Sequence, residues 1–232
     1  MTGAPLEIGA LIFEGVDQLD VTGPFEVLAH LPDSVFRLYG KSVAPVRDVR
    51  GLRLTPDAAL GAAPRLDVFV VPGGFGQEAL MEDEETLAFV RLKAAEATHV
   101  LSICTGALIL GAAGLLEGRR ATTHWAVRHL LPLFGAVGVD ERVVVDGKLT
   151  STAGVTAGLD GALRLAAAIR GEQAAREVQL FMEYAPQPPF DSGCVTSAAS
   201  SVLESVRQRT RDITARREAT ARRIAAKLGV KI

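Results

Sequence analysis

The chain has 232 residues, 48% of them apolar and 22% charged, and a formal charge of −2 at pH 7. A chain of this size buries roughly 70% of its unfolded surface and builds a core without staples. Ordinary globular usage excludes a disordered chain, a collagen and a disulfide scaffold, and the small net charge argues against a general nucleic-acid coat.

In chain order, apolar runs alternate with helical patterns. Leu6–Phe13 is a short, nearly continuous apolar run, and Val35–Lys41 alternates. Asp67–Val71 and Thr98–Ile103 are again apolar. Bounded by Gly and Pro, such runs suit strands buried on both faces. Between and after them lie helical patterns at Pro24–His30, Asp83–Ala97 and Thr105–Ala113. Arg142–Asp146 and Lys148–Thr152 flank Gly147 and read as a hairpin with an Asp-Gly turn. Ala157–Ile169 and Glu172–Tyr184 are helical, Pro186, Pro188 and Pro189 break the chain, and a long helix is predicted from Ser197 to Leu228. Strand then helix, repeated, predicts an α/β fold with a mostly parallel, flavodoxin-like sheet covered by helices on both faces. Two parts are expected: an α/β domain over 1–196, and a C-terminal helix over 197–232 packed on that domain or on a dimer partner.

The terminal helix unbalances the charge. From Glu204 onward there are nine Lys or Arg against three Asp or Glu, so the rest of the chain is acidic. A basic arm for nucleic acid is one reading. No DNA-binding pattern accompanies the charge, so a solvated amphipathic helix is the expectation, with Val202, Val206, Ile213, Ile224 and Leu228 as a sparse apolar stripe. No nucleic-acid partner is expected.

Residues 1–7 lack a basic region followed by an apolar run, so no secretory signal is read. No stretch of about 18 uncharged apolar residues is present, and no membrane association is expected. A cytoplasmic location follows, where a disulfide between Cys104 and Cys194 would be unusual.

The residues that carry chemistry centre on Leu101-Ser-Ile-Cys-Thr-Gly106. An apolar strand runs into Cys104, and Thr105 and Gly106 open an apolar helix. A nucleophile on such a strand-to-helix turn is held strained at the sheet edge. The helix N-terminus is expected to favour its thiolate. The plain alternative is a buried small hydrophobe. Cys194, in FDSGCVTS, has no such setting and reads as incidental. In Val70-Val-Pro-Gly-Gly-Phe-Gly76, glycines bring backbone N–H groups to a ligand, or merely make a tight turn. Asp20, between Leu19 and Val21, either caps a helix or, among apolar neighbours, carries a raised pKa and donates a proton. Asp17 and Glu26 are competing carboxylates expected to be exposed. His124, in ATTHW, is the best histidine for acid–base work; His30, His99 and His129 read as structural. Ligand pairs at metal-binding spacing are missing, so no metal is expected.

Four blocks, QLDVTGPFEVL, DVFVVPGGFG, SICTGALILGAAGLLEGRRATTHW and STAGVTAGLD, resemble the PfpI-like superfamily with its class I glutamine amidotransferase-like fold. The chain is similar, nearly end to end, to the isocyanide hydratase branch, including MEYAPQPPF and the basic last helix. The resemblance implies Cys104 as nucleophile and Asp20 as its partner carboxylate. It places Gly74, Thr105, Gly154 and Val155 around the substrate pocket and His124 as a secondary acid–base candidate. Much of the superfamily has Glu where Asp20 falls, and the shorter acid fits the hydratase branch. Thr105 stands where the protease branch has histidine, which argues against peptidase activity. The resemblance further implies a small-molecule isocyanide substrate, no cofactor and a homodimer. A glyoxalase- or deglycase-like enzyme acting on methylglyoxal, and a non-enzymatic redox-sensing or ligand-binding thiol module, are the alternatives.

Overall fold

The structure, a computed structural model, describes residues 4–230. Strand β1 (Leu6–Leu11) leads to helix α1 (Gln18–Leu28) and strand β2 (Ser34–Gly40). A small antiparallel pair, β3 (Val46–Arg47) and β4 (Arg53–Leu54), precedes the two-residue strand β5 (Ala58–Ala59). Strand β6 (Val68–Val71) is followed by helices α2 (Gln77–Leu80) and α3 (Glu84–Glu96), then strand β7 (His99–Ser102) and helix α4 (Gly106–Ala112). Strands β8 (Arg120–Ala121) and β9 (Val137–Gly138) pair across a 3-10 segment at Trp125–Phe134. The hairpin β10 (Val143–Asp146) and β11 (Leu149–Thr152) precedes the long helices α5 (Ala157–Phe181) and α6 (Ser200–Leu228).

Seven strands form the main sheet in the order β10-β11-β7-β6-β1-β2-β5. All pairs are parallel except β10 with β11. Without the short edge strand β5, the parallel order is the 2-1-3-4-5 of flavodoxin-like sheets. All four residues of β6 are buried, as they must be in a central strand covered on both faces. Helices α1 and α5 pack together, while α2, α4, α6 and the 3-10 segment form a second group. Strand order reverses between β1 and β6, and the loops after these two strands and after β7 meet at that crevice. Ligands of open α/β sheets bind in such a crevice.

Element boundaries follow local chemistry. Asp17 starts α1, its carboxylate accepting the Leu19 N–H at 3.2 Å. The helix therefore begins before the Pro24 start expected from sequence and runs through that proline. Its buried face, with Val21, Gly23 and Val27, docks on α5, and this packing outweighs the proline's missing donor. Asp17 performs the capping considered for Asp20, and it is half-buried rather than exposed. The hairpin closes with a two-residue loop headed by Gly147 at φ 59, as read from its Asp-Gly signal. The two helices read across 157–184 are found as two, joined at a kink at Gly171, whose φ of 85 and ψ of 160 are not helical. Helix α6 ends at Gly229 with φ 68, a left-handed cap. Among the described residues, no helix is long and apolar enough to cross a membrane.

Candidate active site

Cys104 sits between β7 and α4 at φ 52, in the left-handed region that a side chain rarely occupies. Three contacts hold it there. The Ile103 N–H donates to the Val71 carbonyl at 3.0 Å, the Gly106 N–H to the Ile103 carbonyl at 2.8 Å, and the Thr123 hydroxyl to the Cys104 carbonyl at 2.6 Å. A Cβ on Gly106 would run into the Val71 carbonyl oxygen, so the turn admits only glycine. Gly106→Ala should therefore destabilise the protein by at least about 2 kcal/mol, since backbone cannot yield as a side chain does. A thermal melt at wild-type level would show that the turn relaxes.

Asp20 is fully buried in α1 beneath the cysteine. Its Oδ2 accepts the Gly73 N–H at 2.8 Å, and its Oδ1 has no hydrogen-bond partner among the described residues. Gly73 is itself dictated by the site, because a Cβ would lie 2.5 Å from Thr105 N and 3.0 Å from Asp20 Oδ2. Burial pushes the Asp20 carboxyl well above the usual range and the Asp17 charge adds to this; the Gly73 N–H and the Cys104 thiol pull it down less strongly. The Thr105 hydroxyl accepts the Gly74 N–H at 3.1 Å, tying the elbow to the glycine loop.

The thiol departs from expectation. Cys104 is 6% exposed, and burial, then the Asp20 charge, pushes it upward. The Arg217 charge is the largest opposing influence. Helix α4 has only seven residues, and its dipole does not make a free thiolate here. Cys104 and Asp20 instead influence each other: the Asp20 charge pushes the thiol up, and the thiol pulls the carboxyl down. Cys194, read as incidental, is the more acidic thiol: the hydroxyls of Ser197 and Thr196 pull it down to about 7 on an exposed segment.

Cys104, Thr105, Gly74, His124 and Val155 line one cavity of about 360 Å³. Gly154 does not. It lies beside His124, where an added Cβ would come within 3.3 Å of the ring, and borders a neighbouring groove that also reaches Cys194. His124 Nδ1 accepts the Ala126 N–H at 3.3 Å, capping the 3-10 segment. Burial, then the Arg217 charge, holds the ring down to about 4, so it is neutral at pH 7. Native His124 therefore prefers the neutral form. Its stabilisation is whole above 6.5 and is lost as pH falls through about 4, to the extent of roughly 3 kcal/mol. Urea unfolding of His124→Gln and wild type at both ends of that window should differ by this amount, and parallel curves would refute it.

Sequence reasoning missed what α6 contributes. Val206, Thr210, Thr214 and Arg217 form a wall of the same cavity. Arg217 is 5% exposed, although it lies in the most highly charged segment of the chain. Its Nη2 donates to the Gly74 carbonyl at 2.6 Å and its Nε to Gln77 Oε1 at 3.0 Å. The helix is thus half amphipathic support and half cavity wall. Ile213 and Ile224 of the expected stripe are buried, while Val202 and Leu228 are exposed. Among the described residues, no group of three His, Cys, Asp or Glu side chains could hold a metal ion.

A strained cysteine at the end of a central strand, a buried acid beneath it and a glycine loop beside it define a class of α/β protein. The chain belongs to the DJ-1/PfpI family, whose profile matches residues 7–168. It is 51% identical over 226 residues to the isonitrile hydratase of Pseudomonas putida, covering 97% of this chain and 99% of that one. A ThiJ/PfpI family protein from Pseudomonas syringae has the same fold, with a TM-score of 0.91 at 38% identity over 94% of this chain and 90% of that one. A deglycase of Pyrococcus horikoshii is 36% identical over 86 residues, covering 37% of this chain and 52% of the relative.

Proposed function

We propose that the protein is an isocyanide hydratase, converting an isocyanide and water into an N-substituted formamide. The observation that carries this reading is the likeness, along almost the full length of both chains, to an isonitrile hydratase. A deglycase likeness over 37% of the chain and a glyoxalase likeness over 58% of it, both at lower identity, place the methylglyoxal reading second.

The Cys104–Asp20 pair supplies the chemistry. In its reactive form the pair holds one proton, on Asp20, and a thiolate. The sulfur attacks the terminal carbon of the isocyanide while Asp20 gives that carbon its proton, and a thioimidate forms with a new C–S and a new C–H bond. Asp20, now ionised, takes a proton from water as the hydroxyl oxygen joins the same carbon, and passes that proton to the nitrogen. Collapse of the adduct breaks the C–S bond, releases the formamide and returns the remaining hydroxyl proton to Asp20. The pair ends as it began, and no redox step or cofactor is required.

The roles of the neighbours follow. Thr105 and the Gly73–Gly74 loop fix the acid and the elbow, and Val155 and His124 wall the cavity. The neutral ring of His124 suits shape more than proton transfer. The same reading makes the enzyme a cytoplasmic homodimer, with exposed Leu180 and Phe181 as surface for a second copy to cover. Formamide release from a panel of aryl and alkyl isocyanides, measured beside lactate release from methylglyoxal, tests the assignment. Lactate without formamide would reverse it.

A further inference from the structure

Arg217 poses a problem of charge. Buried cations are normally paired with carboxylates, because an unpaired charge out of water is costly. Among the described residues, Arg217 forms no ion pair. Its partners are a backbone carbonyl and an amide oxygen, both neutral. The guanidinium nevertheless keeps its proton, as arginine does in proteins. No acceptor for its Nη1 is found among the described residues, and the side chain borders the cavity that Cys104 opens into.

None of the described carboxylates around it reaches ion-pair distance, and each has another hydrogen-bond partner. Asp48, on the loop after β3, gives one carboxylate oxygen to the N–H groups of Arg50 and Leu52, at 2.7 and 2.8 Å. Asp17 on α1 caps its own helix. Glu78 on α2 accepts the Thr220 hydroxyl at 2.6 Å. Arg50 lines the cavity too, Arg216 precedes Arg217 on α6, and both are cations. His124 is neutral. Asp20 is turned toward the Gly73 N–H. Two groups able to carry negative charge favour the Arg217 cation, and the sulfur of Cys104 acts more strongly than the Glu78 carboxylate.

We propose that Arg217 is a positioning residue of the reaction, clamping the Gly74 carbonyl and supplying the fixed positive charge against which Cys104 is held as a thiolate. The inference rests on Cys104 being the nucleophile. It gives the terminal helix a catalytic reason to exist: α6 lies beyond residues 7–168, the span matched by the family profile, so its cation is an addition to the shared core. The Arg217 charge also opposes the burial and the Asp20 charge that push the sulfur upward, where the short helix α4 contributes little. The counter-charge comes from the far end of the chain, not from the helix that Cys104 opens. The clamp and the charge act together, because the carbonyl held by Arg217 belongs to the residue whose N–H donates to Thr105.

The test uses the full chain carrying Cys194→Ser, so that one thiol remains. Arg217→Gln keeps hydrogen-bonding capacity without charge, Arg217→Met removes both, and Arg217→Lys keeps the charge without the fork. Arg209→Gln, an exposed arginine of the same helix, is the control. The rate of Cys104 alkylation by iodoacetamide is followed against pH, with the adduct located by mass and folding checked by thermal melts. The Gln and Met variants should move the midpoint upward by about one pH unit or more. Lys should recover most of that shift while kcat for formamide release stays low, and Arg209→Gln should match the parent. Should Met fail to fold, Gln carries the comparison. An unmoved midpoint in the uncharged variants, or equal displacement by Lys and Gln, would overturn the proposal. So would a raised KM with an unmoved midpoint, which would make Arg217 a substrate ligand. The alkylation midpoint needs no isocyanide, so it survives a failure of the hydratase reading; an unmoved midpoint beside normal formamide release would sink this proposal alone.

Discussion

Cys104→Ala should reduce formamide release by at least about 10³-fold, because the covalent path disappears while the cavity and Asp20 remain. Alanine tolerates the same backbone poorly but no worse than cysteine, so the variant should melt close to wild type. In the parent enzyme, a slow isocyanide should add its entire mass to the protein, since no leaving group departs in the first step. Peptide mapping should place that mass on Cys104. The second cysteine makes this a strict test. Cys194 is exposed and pulled down to about 7, so in simple thiol reactivity it should win. An adduct that forms on Cys194 and leaves turnover untouched would mark adventitious labelling. Turnover retained by Cys104→Ala would remove the nucleophile from the mechanism altogether.

How much of this site is legible in the sequence depends on distance along the chain. The elbow is local: an apolar strand, Cys104, Thr105 and a required Gly106 lie within a few residues, and the backbone strain follows from that order. Asp20 is legible as a polar residue enclosed by Leu19 and Val21. The beginning of α1 is less so, because Pro24 signals a start while the effective signal is Asp17, and only docking against α5 decides between them. Thr123 stands beside His124 in ATTHW and is easily passed over for the histidine, yet its hydroxyl braces the strained residue. Gly154 is misplaced because STAGVTAGLD fixes an order along the backbone but not the side of His124 on which each residue falls.

Arg217 is the instructive omission. It is one of nine basic residues from Glu204 onward, and as a charge run they suggest solvent. Helical periodicity gives a finer reading. Ile213 and Ala221 flank Arg217 at four residues on either side and Ile224 follows at seven, so this arginine lies on the apolar stripe. All three neighbours are buried in the structure. A cation on the buried face of an otherwise solvated helix is the available signal. Composition hides it, because the sum of the charges cannot distinguish a buried guanidinium from the exposed ones around it. The −2 of the whole chain conceals the same fact at a larger scale.

Asp20→Asn separates proton delivery from architecture. The amide oxygen can still accept the Gly73 N–H, and the side chain keeps its volume, so the fold should persist. Formamide release should fall by about 10²- to 10⁴-fold, the range for losing a general acid–base group. Stability should move in the opposite direction. The folded carboxyl is held above its ordinary range, so its stabilising contribution is whole at low pH and is lost as pH rises from the unfolded value of 3.8 toward the folded one. Asparagine has no such loss. The variant should match wild type near the acid end, at about pH 3.5, and become progressively the more stable of the two as pH rises, in urea unfolding followed across the range. Cys104 alkylation should also respond: without Asp20 to repel the thiolate, its midpoint should fall toward lower pH. Lower activity, higher stability and a more readily ionised thiol, found together, would identify Asp20 as the acid that gives up folding free energy to hold a proton for the substrate. Near-wild-type turnover in Asp20→Asn would move that proton to another group and leave the burial of this carboxylate without a catalytic purpose.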